Sequence, residues 1–215
     1  MTSIALHSLA DSAPVPVANV SPDFSSGRLC PRVGRRAQPS PLALNYPCDH
    51  VILMNRLLHY DAVILHACGV ATSRGALLFC GASGAGKTTI ARLWRSHAGA
   101  RILNDDRLVV RVSEAQVWAA ATPWHGEDPE MSPDPVPLRG CFLLHQAPRN
   151  AATPLGAGQA LAGLMANAVA PFYSREGTAL ALEACGRAAE QVPAYALDFT
   201  PDERAVSECA RVLGW

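Results

Sequence analysis

The stretch Gly81-Ala82-Ser83-Gly84-Ala85-Gly86-Lys87-Thr88 fits the phosphate-loop pattern G-x-x-x-x-G-K-[ST] without a mismatch, and Thr89 continues it. Its flanks agree with that pattern. Residues 76–80 are a short apolar run that reads as a buried strand, and 89–95 read as an amphipathic helix with apolar residues at 90, 93 and 94. Strand, glycine turn and helix start are what a phosphate cradle needs. The glycines let backbone N–H groups converge on an anion, and the helix N-terminus adds partial positive charge. In such a loop Lys87 would reach the β- and γ-phosphates, and the Thr88 hydroxyl would ligate Mg²⁺. A nucleoside triphosphate site is therefore the first expectation, with ATP or GTP as the nucleotide.

Composition narrows the setting. The 215 residues suffice for one compact domain with some tail, and 49% hydrophobic against 17% charged residues is ordinary for a chain with a real core. Eighteen basic and eighteen acidic residues balance, so no global field draws the chain to nucleic acid or to a membrane surface. The seven cysteines are odd in number, scattered, and free of any C-x-x-C pair. That pattern favours a reducing cytoplasm over a disulfide framework. There is no export-type N-terminus and no apolar run of membrane-spanning length, so neither secretion nor membrane insertion is expected.

Residues 1–45 read as a poorly ordered tail in which proline and serine recur and no period persists. Arg28, Arg32, Arg35 and Arg36 form a basic cluster there, read as a solvated one. The ordered domain is expected over 46–215. It opens with a helix over 49–58, capped by Asp49. Residues 62–71 read as a strand, 72–75 as a turn, and the strand before the loop as the second arm of a hairpin. His66 lies in the first arm, where general grounds favour a satisfied core histidine over a catalytic one.

A short strand after the loop helix ends in Asn104-Asp105-Asp106. Carboxylates at a strand tip beside a phosphate loop are placed to hold Mg²⁺ or to take a proton from an attacking hydroxyl. A hairpin follows over 107–112 and 117–121, then a long loop from Thr122 to Pro137 of the kind that is commonly functional. The chain returns to strand over 138–145. Arg139 at its start has two readings, a guanidinium aimed at phosphate or a surface partner. Helices over 159–169 and 178–191, a strand over 194–199, and a last helix complete the chain. Thr200, Pro201 and Glu203 read as a capping-box start for that last helix.

Taken together, Leu65-His66-Ala67, the glycine loop, Leu103-Asn104-Asp105-Asp106 with a strand behind it, and Leu138-Arg139-Gly140 resemble the catalytic domain of HPr kinase/phosphorylase, a relative of phosphoenolpyruvate carboxykinase. The resemblance covers roughly 46–215. It implies an α/β fold: a P-loop, phosphoenolpyruvate-carboxykinase-like mixed β-sheet with flanking helices and a hairpin after the Asp pair. It also implies ATP-dependent transfer of a γ-phosphoryl group to a serine hydroxyl. On that resemblance Asp105 would be the base and Asp106 would help Thr88 hold Mg²⁺, though it does not fix which Asp has which task. His66 and Arg139 would face the transferring phosphate beside Lys87. The family forms rings, so a homo-oligomer belongs to the same expectation.

This chain departs from the family in three respects. Thr88 stands where the family usually has serine, Cys141 to His145 replace the residues that follow its Arg-Gly pair, and the separate N-terminal domain is absent or reduced to the tail. Thr122 to Glu127 looks more like stand-alone relatives found beside modified-peptide pathways. The acceptor expected is thus a serine of a protein or precursor peptide other than HPr. Two other readings compete. A small-molecule kinase of the shikimate or gluconate type also carries an Asp soon after its loop, but there the loop lies near the N-terminus and the Asp precedes a helix. Here 80 residues precede the loop, and the Asp pair precedes a β-branched strand. A non-catalytic nucleotide-binding module is the other alternative.

Overall fold

The computed structural model describes residues 2–5, 17–30, 47–128 and 130–215. The chain divides into two compact units, Met1–Tyr60 and Asp61–Trp215. In the first unit, β1 (Thr2–Ala5), β2 (Val17–Val20) and β3 (Gly27–Cys30) pair antiparallel in that order, and α1 (Cys48–Leu58) follows. Ala18, Val20 and Cys48 are buried together, with Phe24, Leu29 and Ile52 against them. Strands therefore stand where the sequence predicts a tail without a period. Each has four residues, too few for an alternation to register. Because α1 packs on these strands, the unit boundary falls after Tyr60 and not at 45/46. Arg28 is exposed on β3, while Arg32, Arg35 and Arg36 lie outside the described residues. Asp49 does not cap α1. The helix starts one residue earlier, behind Pro47, and the Asp49 carboxylate accepts the His50 N–H at 2.7 Å.

The second unit opens with the expected hairpin, β4 (Ala62–Thr72) and β5 (Gly75–Cys80), then the glycine loop and α2 (Lys87–Ala98). Next come β6 (Arg101–Asn104), β7 (Arg107–Val112), β8 (Val117–Ala121) and β9 (Val136–Gln146). The chain ends with β10 (Ala151–Pro154), α3 (Ala157–Ala166), β11 (Ala168–Val169), α4 (Arg175–Gln191), β12 (Ala194–Phe199) and α5 (Arg204–Leu213). Nine strands form one mixed sheet in the order β10-β12-β9-β5-β4-β7-β8, with β6 and β11 also on β4. Strand β9 is parallel to β5 and β12, and its first residues pair back onto β8. The fold is thus the mixed α/β arrangement expected.

Alternation along the central strands divides the core into two layers. Phe79, Phe142 and Tyr195 stack in a row across β5, β9 and β12, with ring centroids 5.3 Å apart at each step. They share a layer with Ile90, Ala91 and Trp94 of α2 and with Ala205, Val206 and Cys209 of α5. Leu143, next along β9, points the other way and meets α3. A Cβ on Gly163 would come within 2.2 Å of the Leu143 side chain, so α3 approaches the sheet this closely because residue 163 is glycine.

Strand β4 positions the site. At residues 64–65 it pairs with β7 on one edge and β11 on the other, and at 69–71 with β6 on one edge and β5 on the other. Between those levels it changes partners on both edges. There β5 has already left for the glycine loop, and Asp105-Asp106 interrupts β6 and β7. His66 sits at this level, with its N–H donated to the Asn167 carbonyl at 2.7 Å.

Beyond α1, three helices differ from expectation at a boundary, α4 by starting at Arg175 and not at 178. Helix α3 ends at Ala166 because Asn167 closes it and Ala168-Val169 pair with β4. The capping box at Thr200 does not form. The Thr200 hydroxyl donates to the Ala147 carbonyl at 3.0 Å, and α5 begins only at Arg204, whose N–H donates to Asp202 Oδ1 at 2.9 Å. Among the described residues no helix is long and apolar enough to cross a membrane.

Candidate active site

The glycine loop lies between β5 and α2, as its flanks predict. Gly84 and Gly86 have φ of 81° and 102°, a region side chains rarely enter, and Gly86 also has no room for one. A Cβ there would lie 2.5 Å from the Phe199 ring at the end of β12. The start of the loop is held by Asn167, whose Oδ1 accepts the Gly81 N–H at 3.2 Å. Its tip is held by Gln146, whose side-chain amide donates to the Gly84 carbonyl at 2.8 Å. Lys87 is buried and curls back over the loop, donating from Nζ to the Gly81 and Ala82 carbonyls at 2.8 and 3.2 Å. The Lys87, Thr88 and Thr89 amides are the first three of α2, with no helical carbonyl behind them.

This loop forms one wall of a cleft of about 390 Å³. Ser83, Gly84, Gly86, Lys87, Thr88, Thr89 and Arg92 line that side. His66, Asp105, Asp106, Gly126 and Glu127 line the other. The structure therefore brings His66, Lys87, Thr88 and both acids of the pair into one site.

The two acids have different surroundings. Asp105 is buried, and its carboxylate accepts three backbone N–H groups: Gly126 on Oδ1 at 2.7 Å, and Glu127 and Asp128 on Oδ2 at 2.9 Å each. Three of its roughly four lone-pair sites are thus committed to the loop after β8. Asn104, fully buried, extends the same clamp. Its amide donates to the Thr122 and Trp124 carbonyls, and its oxygen accepts the Asp106 and Arg107 N–H groups. Asp106 is partly open to the cleft. Its Oδ1 lies 3.2 Å from His66 Nδ1, and its Oδ2 lies 3.4 Å from Arg107 Nε.

Burial, and after it the Lys87 ammonium, hold the His66 imidazole below its ordinary value, against the upward pull of Asp106. That direction favours the neutral ring at pH 7. His66 Nδ1 and Asp106 Oδ1 are 3.2 Å apart, and since a carboxylate can only accept, a proton on Nδ1 would face it and leave Nε2 as an acceptor.

Arg139 is not part of the cleft. Strand β9 runs parallel to β5, and Leu138 pairs with Ala76 while Leu143 pairs with Cys80. Arg139 consequently lies at the start of β5, packed over Gly75, and the glycine loop leaves from the far end. Five residues of strand at ~3.3 Å each separate the two levels by roughly 17 Å. The guanidinium that does line the cleft, beside the Lys87 ammonium, is that of Arg92, which pairs with Glu127 at 3.3 Å. Its position one helical turn after Thr88 was legible in the sequence as an i, i+4 neighbour. Asn167 and Gln146 carried no such signal, because each reaches the loop from a distant element.

Hard oxygen donors at Thr88 and Asp106, in a cleft that also presents helix-start amides and Lys87, suit Mg²⁺ bound together with phosphate oxygens. Among the described residues no group of three or more His, Cys, Asp or Glu side chains could hold a metal unaided.

No family model matches this chain, and no curated protein matches it in sequence. Among solved structures, the Hpr(Ser) kinase/phosphatase from Coxiella burnetii is similar over 69% of this chain and 94% of its own, with 9% sequence identity and a TM-score of 0.42. That is a distant likeness, on which the geometry of the cleft does not depend.

Proposed function

We propose that this protein is an ATP-dependent phosphotransferase that moves a γ-phosphoryl group to a serine hydroxyl of a protein or peptide. The observation that carries this reading is the single cleft in which the glycine loop and Lys87 face the Asp106–His66 pair. The amides of 86–89 and Lys87 would hold the β- and γ-phosphates, with Arg92 released from Glu127 as a further cation on the phosphates. Thr88 and Asp106 would hold Mg²⁺, which when bound supplies charge neutralisation at the phosphate oxygens.

The base in this reading is His66 and not Asp105. Neutral His66, oriented by Asp106 through Nδ1, offers Nε2 to the acceptor hydroxyl, whereas the oxygens of Asp105 are taken up by the 126–128 backbone. As the hydroxyl oxygen bonds to the γ-phosphorus, its proton passes to Nε2 and the bond to the β,γ-bridging oxygen breaks, leaving ADP. The choice of a peptide serine as acceptor rests on the sequence resemblance alone.

The test is intact-mass analysis of serine-containing peptides after incubation with Mg-ATP. A mass gain of one phosphate that is lost in Lys87→Met supports the reading. ADP formed with phosphate appearing only in water, for every acceptor tried, would reject it in favour of a nucleotide-binding module.

A further inference from the structure

A second cavity lies away from the cleft, between the β4–β5 turn, the C-terminal half of α2 and α5. It has a volume of about 480 Å³, within the size range of small-molecule sites. Trp94 and Trp215 form its apolar wall, with ring centroids 6.2 Å apart and planes at 85°. Arg74 lies over the Trp215 ring at 5.9 Å from its centroid, and Arg101 also lines the cavity. Neither guanidinium has a strong partner. Arg74 reaches the Gly214 carbonyl at 3.5 Å, and Arg101 reaches Asp134 at 4.0 Å, with both members of the latter pair open to solvent. No Asp or Glu side chain among the described residues lines the cavity.

Two weakly partnered guanidinium groups beside an aromatic wall ask for a ligand with complementary parts: an anionic group on a flat apolar body.

We propose that this cavity is a binding site for a small aromatic carboxylate, distinct from the glycine-loop cleft. The carboxylate pairs with Arg74 and Arg101, and the ring of the ligand packs on Trp215. Trp94 is seven residues along α2 from Lys87, about 10 Å at ~1.5 Å per residue, so both sites share one helix without overlapping.

The test uses benzoate as probe, with calorimetry and ligand-observed NMR on the full chain. Benzyl alcohol (ring without charge) and acetate (charge without ring) serve as comparison ligands. Saturable benzoate binding at millimolar concentration or tighter is expected, with both comparison ligands at least about tenfold weaker. The double variant Arg74→Ala/Arg101→Ala, which alters only solvent-facing side chains, should weaken benzoate by about tenfold or more while keeping the wild-type unfolding midpoint. Mg-ADP should leave benzoate in place. Absence of saturable binding, unchanged affinity in the double variant, acetate binding as tightly as benzoate, or displacement by Mg-ADP would each overturn the proposal. Since none of these readouts requires phosphate transfer, the outcome is separable from the fate of the kinase reading.

Discussion

Replacing Asp105 by Asn tests whether this acid is a clamp. Asp105 is 4% exposed and takes three backbone N–H groups at 2.7, 2.9 and 2.9 Å. An Asn amide keeps one oxygen, which best serves the two donors that now share Oδ2, from Glu127 and Asp128. Its NH₂ then faces the Gly126 N–H, donor against donor. One buried N–H is orphaned, at about 1–3 kcal/mol, and the two remaining bonds lose their charge assistance, so a total of about 2–4 kcal/mol is expected. Asp106→Asn gives the opposite pattern. Its side chain is 22% exposed and its contacts are 3.2 and 3.4 Å long, so stability should change by no more than about 1 kcal/mol. Phosphate transfer should nevertheless fall by about 10²–10⁴-fold, as expected when a proton-transfer pair is broken. Urea denaturation of both variants, alongside the transfer assay, reads both effects. An Asp105→Asn cost below about 0.5 kcal/mol would refute the clamp, since that is the range of ordinary surface substitutions.

Three further outcomes follow. The His66 ring should titrate below its ordinary value of about 6.5 by NMR. Its midpoint should fall further in Asp106→Asn, which removes a favourable anion, and rise in Lys87→Met, which removes an opposing cation. Because folding lowers this pKa, the stability it contributes is full above the unfolded value and is lost as pH falls below about 6.5. A midpoint that rises in Asp106→Asn would contradict the pairing. Gly86→Ala should cost at least about 2 kcal/mol from its φ of 102° and the 2.5 Å approach to Phe199, so an unchanged melting midpoint would show the loop to be built otherwise. Arg139→Ala should leave nucleotide affinity and transfer unaltered, because the side chain packs over Gly75 at the far end of β5. A loss of transfer with intact folding would return Arg139 to the cleft.

Most of the second unit was legible because its signals are local. The glycine loop, the apolar arms of the β4–β5 hairpin and the alternation of β7 and β8 each lie within about twenty consecutive residues. What the sequence left hidden depended on register between distant strands. Arg139 stands two residues before Cys141 in a strand whose parallel pairing sets it beside Ala76, and nothing in its own neighbourhood reveals that. The tasks of the two acids were hidden for a similar reason. Asp105 and Asp106 are chemically identical, and what separates them is the backbone of 126–128, returned to Asp105 by a hairpin some twenty residues later. The caps at Asp49 and Thr200 failed because each polar side chain found another bond, one to the His50 N–H and one to the Ala147 carbonyl.

The most direct measurement is the affinity for ATP by calorimetry, with Mg²⁺ and with EDTA, in wild type and in Asp106→Asn. If loop and acid hold one divalent cation between them, Mg²⁺ should tighten ATP by about tenfold or more in wild type, a difference of about 1.4 kcal/mol that Asp106→Asn removes. Equal Mg²⁺ enhancement in the two proteins would contradict a shared cation and leave the cleft a binder of triphosphate alone.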